Sequence, residues 1–298
     1  MKFYRILSVV SLFVVLIFFS CSENGSSSRG AGTLSLSLAD APLVDEDNVT
    51  GVYISITGIK YHTNGGWKTM EDFNDSINPI NLLEWQDGRS ILLGDFQMPA
   101  GKYTQMRFML DAAEETQRPK SNTGCYIEFD GDRNETLYVP SGSQTGYKAI
   151  GNYEVPINGT VTMTADFDIR KSIVVTGKDP DVYYKLKPTI RLVVTDEAGT
   201  IKGSVNDLNA SNTYVLYAYE SSNDLNPDTE ADNDFENAVT SVVVKEGGSY
   251  RLSLLAEGSY DLIIAEYDEN GVNIGNQMQI GVEVQSGETT AFTFDWTP

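Results

Sequence analysis

The acidic residues offer the widest range of chemistry in this sequence. Asp and Glu together number 42, against 21 Lys and Arg and one histidine. Asp166 and Asp168 are two residues apart in a strand-like run, so both should point to one face while Phe167 and Ile169 face the core. Two carboxylates on one face could act as the acid and base of glycoside hydrolysis. The alternative, which we expect, is that both aspartates lie at the surface or stabilise a turn.

His62 is the only histidine, and it lies beside the tip of a predicted hairpin. A Ser-His-Asp or Cys-His site needs a histidine held against its nucleophile, and a structural zinc site needs about four Cys and His ligands. The chain has two cysteines, Cys21 and Cys125, and no phosphate-binding loop of the Walker or dinucleotide type. We therefore expect an exposed His62 and a protein that is not an enzyme.

The segment at residues 224–236 is the best candidate metal site. Asp228, Asp232 and Asp234 place oxygen ligands at even spacings, which suits calcium. The segment departs from the EF-hand pattern, because counting from Asp228 the sixth position is Asn233 rather than glycine and the twelfth is Val239 rather than glutamate. It predicts a calcium site or, as we expect, a solvated acidic loop. No other cofactor is predicted.

Aromatic side chains are the candidate ligand-binding residues, because a sugar ring stacks its apolar face on an exposed aromatic ring. Trp67 follows a hairpin tip and Trp85 lies in an irregular segment, so each is a candidate platform for a glycan. The alternative is that the β-sheet core takes up these rings. Tyr217 and Tyr219 share one face of a strand, where core packing is the expected role.

The amino-terminal segment predicts where the chain works. Lys2 and Arg5 precede a mostly apolar stretch at residues 6–19, which is too short for a comfortable membrane span and is typical of a signal peptide. Ser20 and Cys21 follow, and this arrangement resembles a bacterial lipoprotein signal, although an ordinary signal peptide with an incidental cysteine is the alternative. The resemblance implies acyl chains on Cys21, and two or more such chains anchor a protein stably.

The segment after Cys21 is a flexible tether. Residues 21–31 are rich in glycine and serine, which bury no apolar area. The residue after the lipidated cysteine is Ser22 rather than aspartate, which resembles sorting to the outer membrane of a Gram-negative bacterium. We expect the folded part to lie on the periplasmic or the cell-surface face.

The charge of the chain restricts its partners. The formal net charge is −21, and loss of residues 1–20 with Lys2 and Arg5 brings it to −23. Nucleic acid and anionic lipid surfaces both need a basic footprint, so neither is an expected partner. The expected partners are the membrane through the lipid anchor, and a glycan or another envelope protein. Lipidation of Cys21 would leave Cys125 as a buried thiol with no disulfide partner.

The pattern of the remaining residues is that of β-strands. Short alternating or β-branched runs bounded by turn residues recur along the chain, which predicts an all-β fold of two immunoglobulin-like or prealbumin-like sandwiches at residues 32–196 and 197–298. The second sandwich is predicted to have seven strands. Asn64 and Gly65 predict a tight hairpin turn with positive φ values, and Asn78 with Pro79 predicts the start of a short helix.

Five ordered motifs carry a resemblance to a known family. They occupy residues 38–42, 98–105, 139–142, 166–172 and 186–191, which read LADAP, MPAGKYTQ, VPSG, DFDIRKS and LKPTIR. With these motifs the segment from Gly32 to Val194 resembles domain of unknown function 4382, found in extracytoplasmic lipoproteins. This family has no assigned activity, so the resemblance supports the domain and implies nothing about catalysis.

The last hundred or so residues resemble a different family. Glycine turns followed by strands at residues 199–205, 248–252 and 258–262 are similar to those of carboxypeptidase-regulatory or prealbumin-like sandwiches. Such folds are similar to several carbohydrate-binding modules, but a shared fold does not establish a shared function. Together these features predict a lipid-anchored, non-enzymatic binding or adhesion module. A structural spacer or accessory subunit of an envelope complex, or a hydrolase that acts on glycans through carboxylates, are the alternatives.

Overall fold

The computed structural model describes residues 30–41, 49–113, 124–131, 133–178, 182–187, 189–222, 225–232 and 235–297. Its first part is built from strands with one short helix. The strands are β1 Ala31–Ala41, β2 Val49–Ile54, β3 Ile56–Thr63, β4 Gly66–Thr69, β5 Ile80–Asn81, β6 Ile91–Pro99, β7 Gly101–Leu110, β8 Tyr126–Phe129, β9 Arg133–Tyr138, β10 Tyr147–Val155, β11 Thr160–Asp168, β12 Ile173–Thr176, β13 Tyr183–Leu186 and β14 Ile190–Val194; helix α1 is Ile169–Ser172.

These strands form two sheets that enclose one core, which we call the first sandwich. One sheet has the order β4-β3-β7-β10-β14-β11-β1-β6 and the other the order β12-β13-β9-β8-β2-β5. Strand β1 shows how the core is filled, because Leu34, Leu36 and Leu38 alternate inward and are fully buried. It lies parallel to β11, from Thr33 opposite Thr160 to Ala41 opposite Asp168.

The second sandwich follows a single turn of 3₁₀ helix at Thr195–Glu197. Its strands in the described part of the chain number seven, as predicted. They are β15 Gly199–Asn206, β16 Thr213–Glu220, β17 Thr240–Val243, β18 Ser249–Leu255, β19 Gly258–Tyr267, β20 Asn273–Val284 and β21 Thr289–Asp295, with helix α2 at Pro227–Asp232 between β16 and β17. They form sheets of order β18-β15-β21 and β17-β16-β19-β20.

The four-stranded sheet is apolar on both faces. Leu216 and Ala218 of β16 face the core of the second sandwich. Val215, Tyr217 and Tyr219 face the other way and pack with Phe235, Ala238 and other residues of the segment between β16 and β17. A strand buried on both faces has no polar side to show, which explains the continuous apolar run in β16.

The all-β prediction is confirmed, and two local predictions need correction. The hairpin between β3 and β4 has a two-residue turn, but the positive φ is at Gly66 (96°) rather than at Asn64 or Gly65. No helix starts at Asn78, because a 3₁₀ turn at Asp75–Ile77 ends there and strand β5 follows at Ile80. The predicted helix is instead a 3₁₀ turn at Leu82–Trp85. None of the helices among the described residues is long and apolar enough to span a membrane.

Candidate functional site at the junction of the two sandwiches

Three of the five sequence motifs meet at one end of strands β1, β11 and β14. Asp166 on β11 is opposite Arg191 on β14, and Asp40 on β1 is opposite Phe167 on β11. Asp40, Asp166 and Asp168 are at most 6% exposed. The end of this sheet therefore holds three buried carboxyl groups, which we call the aspartate cluster.

Asp166 is held by Arg191. The Nε of Arg191 donates a hydrogen bond of 2.7 Å to Oδ2 of Asp166, and the two groups form an ion pair. Burial raises the pKa of the Asp166 carboxyl, and the guanidinium of Arg191 opposes that rise. The ion pair therefore joins β11 to β14 at the position where Asp166 and Arg191 lie opposite each other.

Asp168 has two cationic partners and also caps helix α1. Its Oδ2 lies 3.1 Å from Nη2 of Arg170 and 3.3 Å from Nζ of Lys171. Its Oδ1 accepts a hydrogen bond from the backbone N–H of Lys171, which satisfies a donor at the start of the helix. Burial lowers the pKa of Lys171, and Asp168 opposes this shift.

Asp40 is the member of the cluster without an ion-pair partner among the described residues. Its Oδ2 accepts a hydrogen bond of 3.1 Å from Nε2 of Gln86, and its Oδ1 accepts one of 3.2 Å from the backbone N–H of Ile169. Burial raises the pKa of Asp40 well above its ordinary value, since these hydrogen bonds do not fully replace the lost water.

The cations of the cluster reach across to the second sandwich. Nη1 of Arg170 donates a hydrogen bond of 2.5 Å to the carbonyl oxygen of Phe235, and Nζ of Lys171 donates one to the carbonyl oxygen of Ala238. The guanidinium of Arg170 also lies 5.2 Å from the ring centre of Tyr217, on which Phe235 stacks at 4.1 Å. One buried network thus joins the two sandwiches.

A loop of the first sandwich makes a second contact across the junction. Asp87 forms an ion pair of 2.7 Å with Lys245 of the second sandwich. Gly88 has a φ of +78°, and a Cβ there would lie 2.7 Å from Oγ of Ser253 and 2.9 Å from Nε of Arg251. A side chain at position 88 would strain this backbone conformation and would displace the side chains of Ser253 and Arg251, so glycine is favoured there.

A cleft of about 230 Å³ lies beside Gly88 at the junction. We call it the junction cleft. Residues of both sandwiches line it, and most of them carry a hydroxyl or a charge. They include Ala39, Arg89, Ser90, Thr164, Thr195, Thr200, Arg251, Ser253, Leu254, Glu288 and Thr289.

The prediction that both aspartates lie at the surface or stabilise a turn is wrong for Asp166, which is buried in an ion pair, whereas Asp168 is buried but caps the single turn of helix α1. Phe167 and Ile169 face the core, as predicted. Sequence reasoning missed the cations that pair with the aspartates. The signal was present in the motif at 166–172, where Arg170 and Lys171 follow the two aspartates directly.

Trp67 and Trp85 lie in different parts of the first sandwich. Trp67 is half-buried on the edge strand β4, with the guanidinium carbon of Arg107 4.0 Å from its ring centre and the His62 ring 5.0 Å away. Trp85 is half-buried and packs against the first core, in a turn that contacts β1 and β2. The two indoles do not form one surface, because β4 and β1 lie toward opposite edges of the eight-stranded sheet.

The other predicted residues are placed as follows. His62 is exposed, and Cys125 is fully buried, as expected. Burial raises the pKa of the Cys125 thiol to about 12. Tyr217 and Tyr219 are buried as predicted.

The predicted calcium ligands and the lipidation site stay untested. Asp228 and Asp232 belong to helix α2, and their side chains lie outside the description. Cys21 and Asp234 lie outside the described residues altogether. Within the described residues, no group of three or more His, Cys, Asp and Glu side chains is placed to hold a metal ion.

The solved structures that match this chain are distant from it. The chain is 11% identical to the TIE protein of Bacillus anthracis, covering 89% of this chain and 34% of that one with a TM-score of 0.22. It is 12% identical to the minor pilin GBS52 of Streptococcus agalactiae, and the match covers 89% of this chain and 97% of that one with a TM-score of 0.20. It is 10% identical to BcpA, the major pilin subunit of Bacillus cereus, and the match covers 89% of this chain and 99% of that one with a TM-score of 0.21. These scores are too low to support any statement about this chain. No curated protein matches it.

A family model gives a clear result. Residues 31–188 match the model described as a domain of unknown function, DUF4382. The matched region spans β1 to β13 and includes all three residues of the aspartate cluster, Asp40, Asp166 and Asp168. This agrees with the resemblance seen in the five motifs. Because the match extends over more than half of its length, the chain belongs to the DUF4382 family.

Proposed function

We propose that the chain is a non-enzymatic binding and adhesion module of the outer membrane, anchored by acyl chains on Cys21. The observation that carries this proposal is the state of the acidic pair. Asp166 and Asp168, the best candidates for glycoside hydrolysis, are bound by Arg191, Arg170 and Lys171. Buried carboxylates that are paired with cations in this way are not arranged as the acid and the base that glycoside hydrolysis needs.

The ligand is a glycan or another envelope protein. An adhesion module needs a surface that keeps its shape under mechanical load. The buried network supports such a surface, because it holds the two sandwiches in a fixed relative position. The same network also favours a second function, that of a rigid spacer within an envelope complex. Binding distinguishes the two, because a spacer needs no ligand of its own.

The anchor is tested with the two cysteines as a matched pair. Cells expressing the full chain are labelled with radioactive palmitate, and the same is done for Cys21→Ser and for Cys125→Ala. We expect label in the wild type and in Cys125→Ala and none in Cys21→Ser, which should also leave the membrane fraction. Label retained in Cys21→Ser would refute the anchor. Protease treatment of intact cells then distinguishes the cell-surface face from the periplasmic face.

Binding is tested with the full chain, purified in detergent, on an array of glycans and against purified envelope proteins. We expect at least one saturable ligand and no hydrolysis of labelled glycans. If neither the glycan array nor the envelope proteins give a ligand, the spacer is favoured. Hydrolysis that disappears in Asp168→Asn, while the variant keeps the circular dichroism of the folded protein, would show that the chain is an enzyme.

A further inference from the structure

The junction cleft is more basic than the chain around it. Its charged lining residues are Arg89, Arg251 and Glu288, whereas the whole chain has twice as many acidic as basic residues. Arg89 comes from a loop of the first sandwich and Arg251 from strand β18 of the second. Two exposed arginines from separate sandwiches therefore line one small space.

Arg251 is fixed in position but lacks a carboxylate partner. Its Nε donates a hydrogen bond of 3.0 Å to Oγ of Ser253, and its Nη2 donates one of 3.3 Å to Oγ1 of Thr200. In the part of the chain that the structure describes, neither Arg251 nor Arg89 forms an ion pair. A guanidinium held by neutral hydroxyls keeps its full charge available for an anion.

The strand pairing adds a further positive charge beside Arg251. Lys202 on β15 lies directly opposite Arg251 in the β15–β18 register. Lys202 likewise forms no ion pair within the described residues. Like charges at opposite positions of a strand pair destabilise it, so an anion bound beside them would relieve the repulsion.

A distortion of β18 shapes one wall of the cleft. Tyr250 and Leu252 face the core, and regular alternation would put Leu254 there next. The β15–β18 register shifts at this point, so that Leu255 is in the core and Leu254 lines the cleft with a φ of +59°. Bulges and positive φ values at residues other than glycine are uncommon and are concentrated at functional sites.

The rest of the lining suits a sugar ring. Thr200, Ser253 and Thr289 supply hydroxyls, and Oγ1 of Thr164 lies 2.9 Å from Oγ1 of Thr195. A hydroxyl both donates and accepts hydrogen bonds, as sugar hydroxyls do. The volume of about 230 Å³ is below the range of roughly 300–1,000 Å³ for drug-sized ligands. It therefore limits the ligand to about one ring.

We propose that the junction cleft binds one carboxylated sugar unit, such as a uronic acid, at the end of a glycan. The carboxylate lies between Arg251 and Arg89, and the sugar hydroxyls bond to the threonine and serine hydroxyls. This inference rests on the proposed binding function and names the class of ligand. It involves no covalent step.

The test is titration calorimetry of the full chain in detergent with glucuronate, glucose and inorganic sulfate. We expect binding of glucuronate, with glucose and sulfate each at least about tenfold weaker, because each lacks either the charge or the hydroxyls. Arg251→Gln and Arg89→Gln should each lower the affinity for glucuronate about tenfold or more. The control is Arg133→Gln, which removes an exposed arginine outside the cleft and should leave the affinity unchanged.

The outcomes separate this inference from the proposed function. Sulfate binding as tight as glucuronate would show a site for anions alone and overturn the inference. So would equal binding of glucose, or glucuronate binding that neither arginine variant weakens. If glucuronate does not bind but the glycan array gives a ligand, the inference fails and the binding function stands. If glucuronate, the glycan array and the envelope proteins all give no binding, the inference and the binding function both fail and the spacer is favoured.

Discussion

Asp168→Asn should strongly destabilise the protein. The asparagine keeps the shape of the side chain and an oxygen that can cap helix α1, so the main loss is the negative charge. That loss leaves Arg170 and Lys171 without their carboxylate, with side chains only 8% and 17% exposed. Removing one partner of a buried ion pair lowers the free energy of unfolding by about 3–5 kcal/mol. For a chain of this size that lowers the melting temperature by about 6–20 °C.

The assay is thermal unfolding of the soluble form that begins at Gly30, followed by circular dichroism and by tryptophan fluorescence. The matched control is Glu154→Gln, which breaks the pair between Lys102 and Glu154. That pair spans 3.9 Å, and its side chains are 83% and 64% exposed. An exposed pair contributes about 0–1 kcal/mol, so the control should melt within a few degrees of the wild type.

The comparison of the two variants decides the result. If Asp168→Asn melts at the same temperature as Glu154→Gln, the charges around Asp168 are not desolvated, and the junction is not held by a buried network. A large loss for both variants would mean that exposure does not govern the strength of ion pairs in this protein.

Three further predictions concern other buried or acidic groups. Since burial raises the pKa of Cys125 to about 12, its thiol should resist iodoacetamide at pH 8 in the native protein and react after unfolding. Mass spectrometry measures this alkylation, and an alkylated Cys125 in the native protein would contradict the prediction. The raised pKa of Asp40 makes its charged form destabilising, so Asp40→Asn should melt above the wild type at pH 8. That difference should shrink as pH falls toward the ordinary value of 3.8, and one that is constant from pH 8 to pH 4 would refute it. If Asp228, Asp232 and Asp234 bind calcium, calcium should raise the melting temperature and a chelator should reverse the rise, whereas no shift in either direction would remove the site.

The fold was predictable where local patterns carry the information. The alternation of Leu34, Leu36 and Leu38 with polar residues fixes which face of β1 is buried, and the apolar run in β16 reflects a strand covered on both faces. Such patterns depend on neighbours two residues away. They predicted an all-β chain and seven strands in the second sandwich without any knowledge of the tertiary structure.

The junction was not predictable, because its contacts join residues far apart in sequence. The partner of Asp166 is Arg191, 25 residues later, and the carbonyl bound by Arg170 belongs to Phe235, 65 residues later. Nothing in the alternation of a strand indicates which distant cation will neutralise a carboxylate on it. Sequence patterns therefore favour a surface or turn position for Asp166 and Asp168, although the tertiary structure buries both of them.

The parallel pairing of β1 with β11 has a consequence for the direction of the molecule. Gly30 leads into the end of β1 beside Thr160, whereas Ala41 and Asp168 lie at the other end, next to the second sandwich. The eleven residues of β1 span about 35 Å at roughly 3.3 Å each. If the chain is tethered on the amino-terminal side of Gly30, the first sandwich would lie nearer the tether. The second sandwich would then be the part farthest from the lipid and the first to meet other molecules.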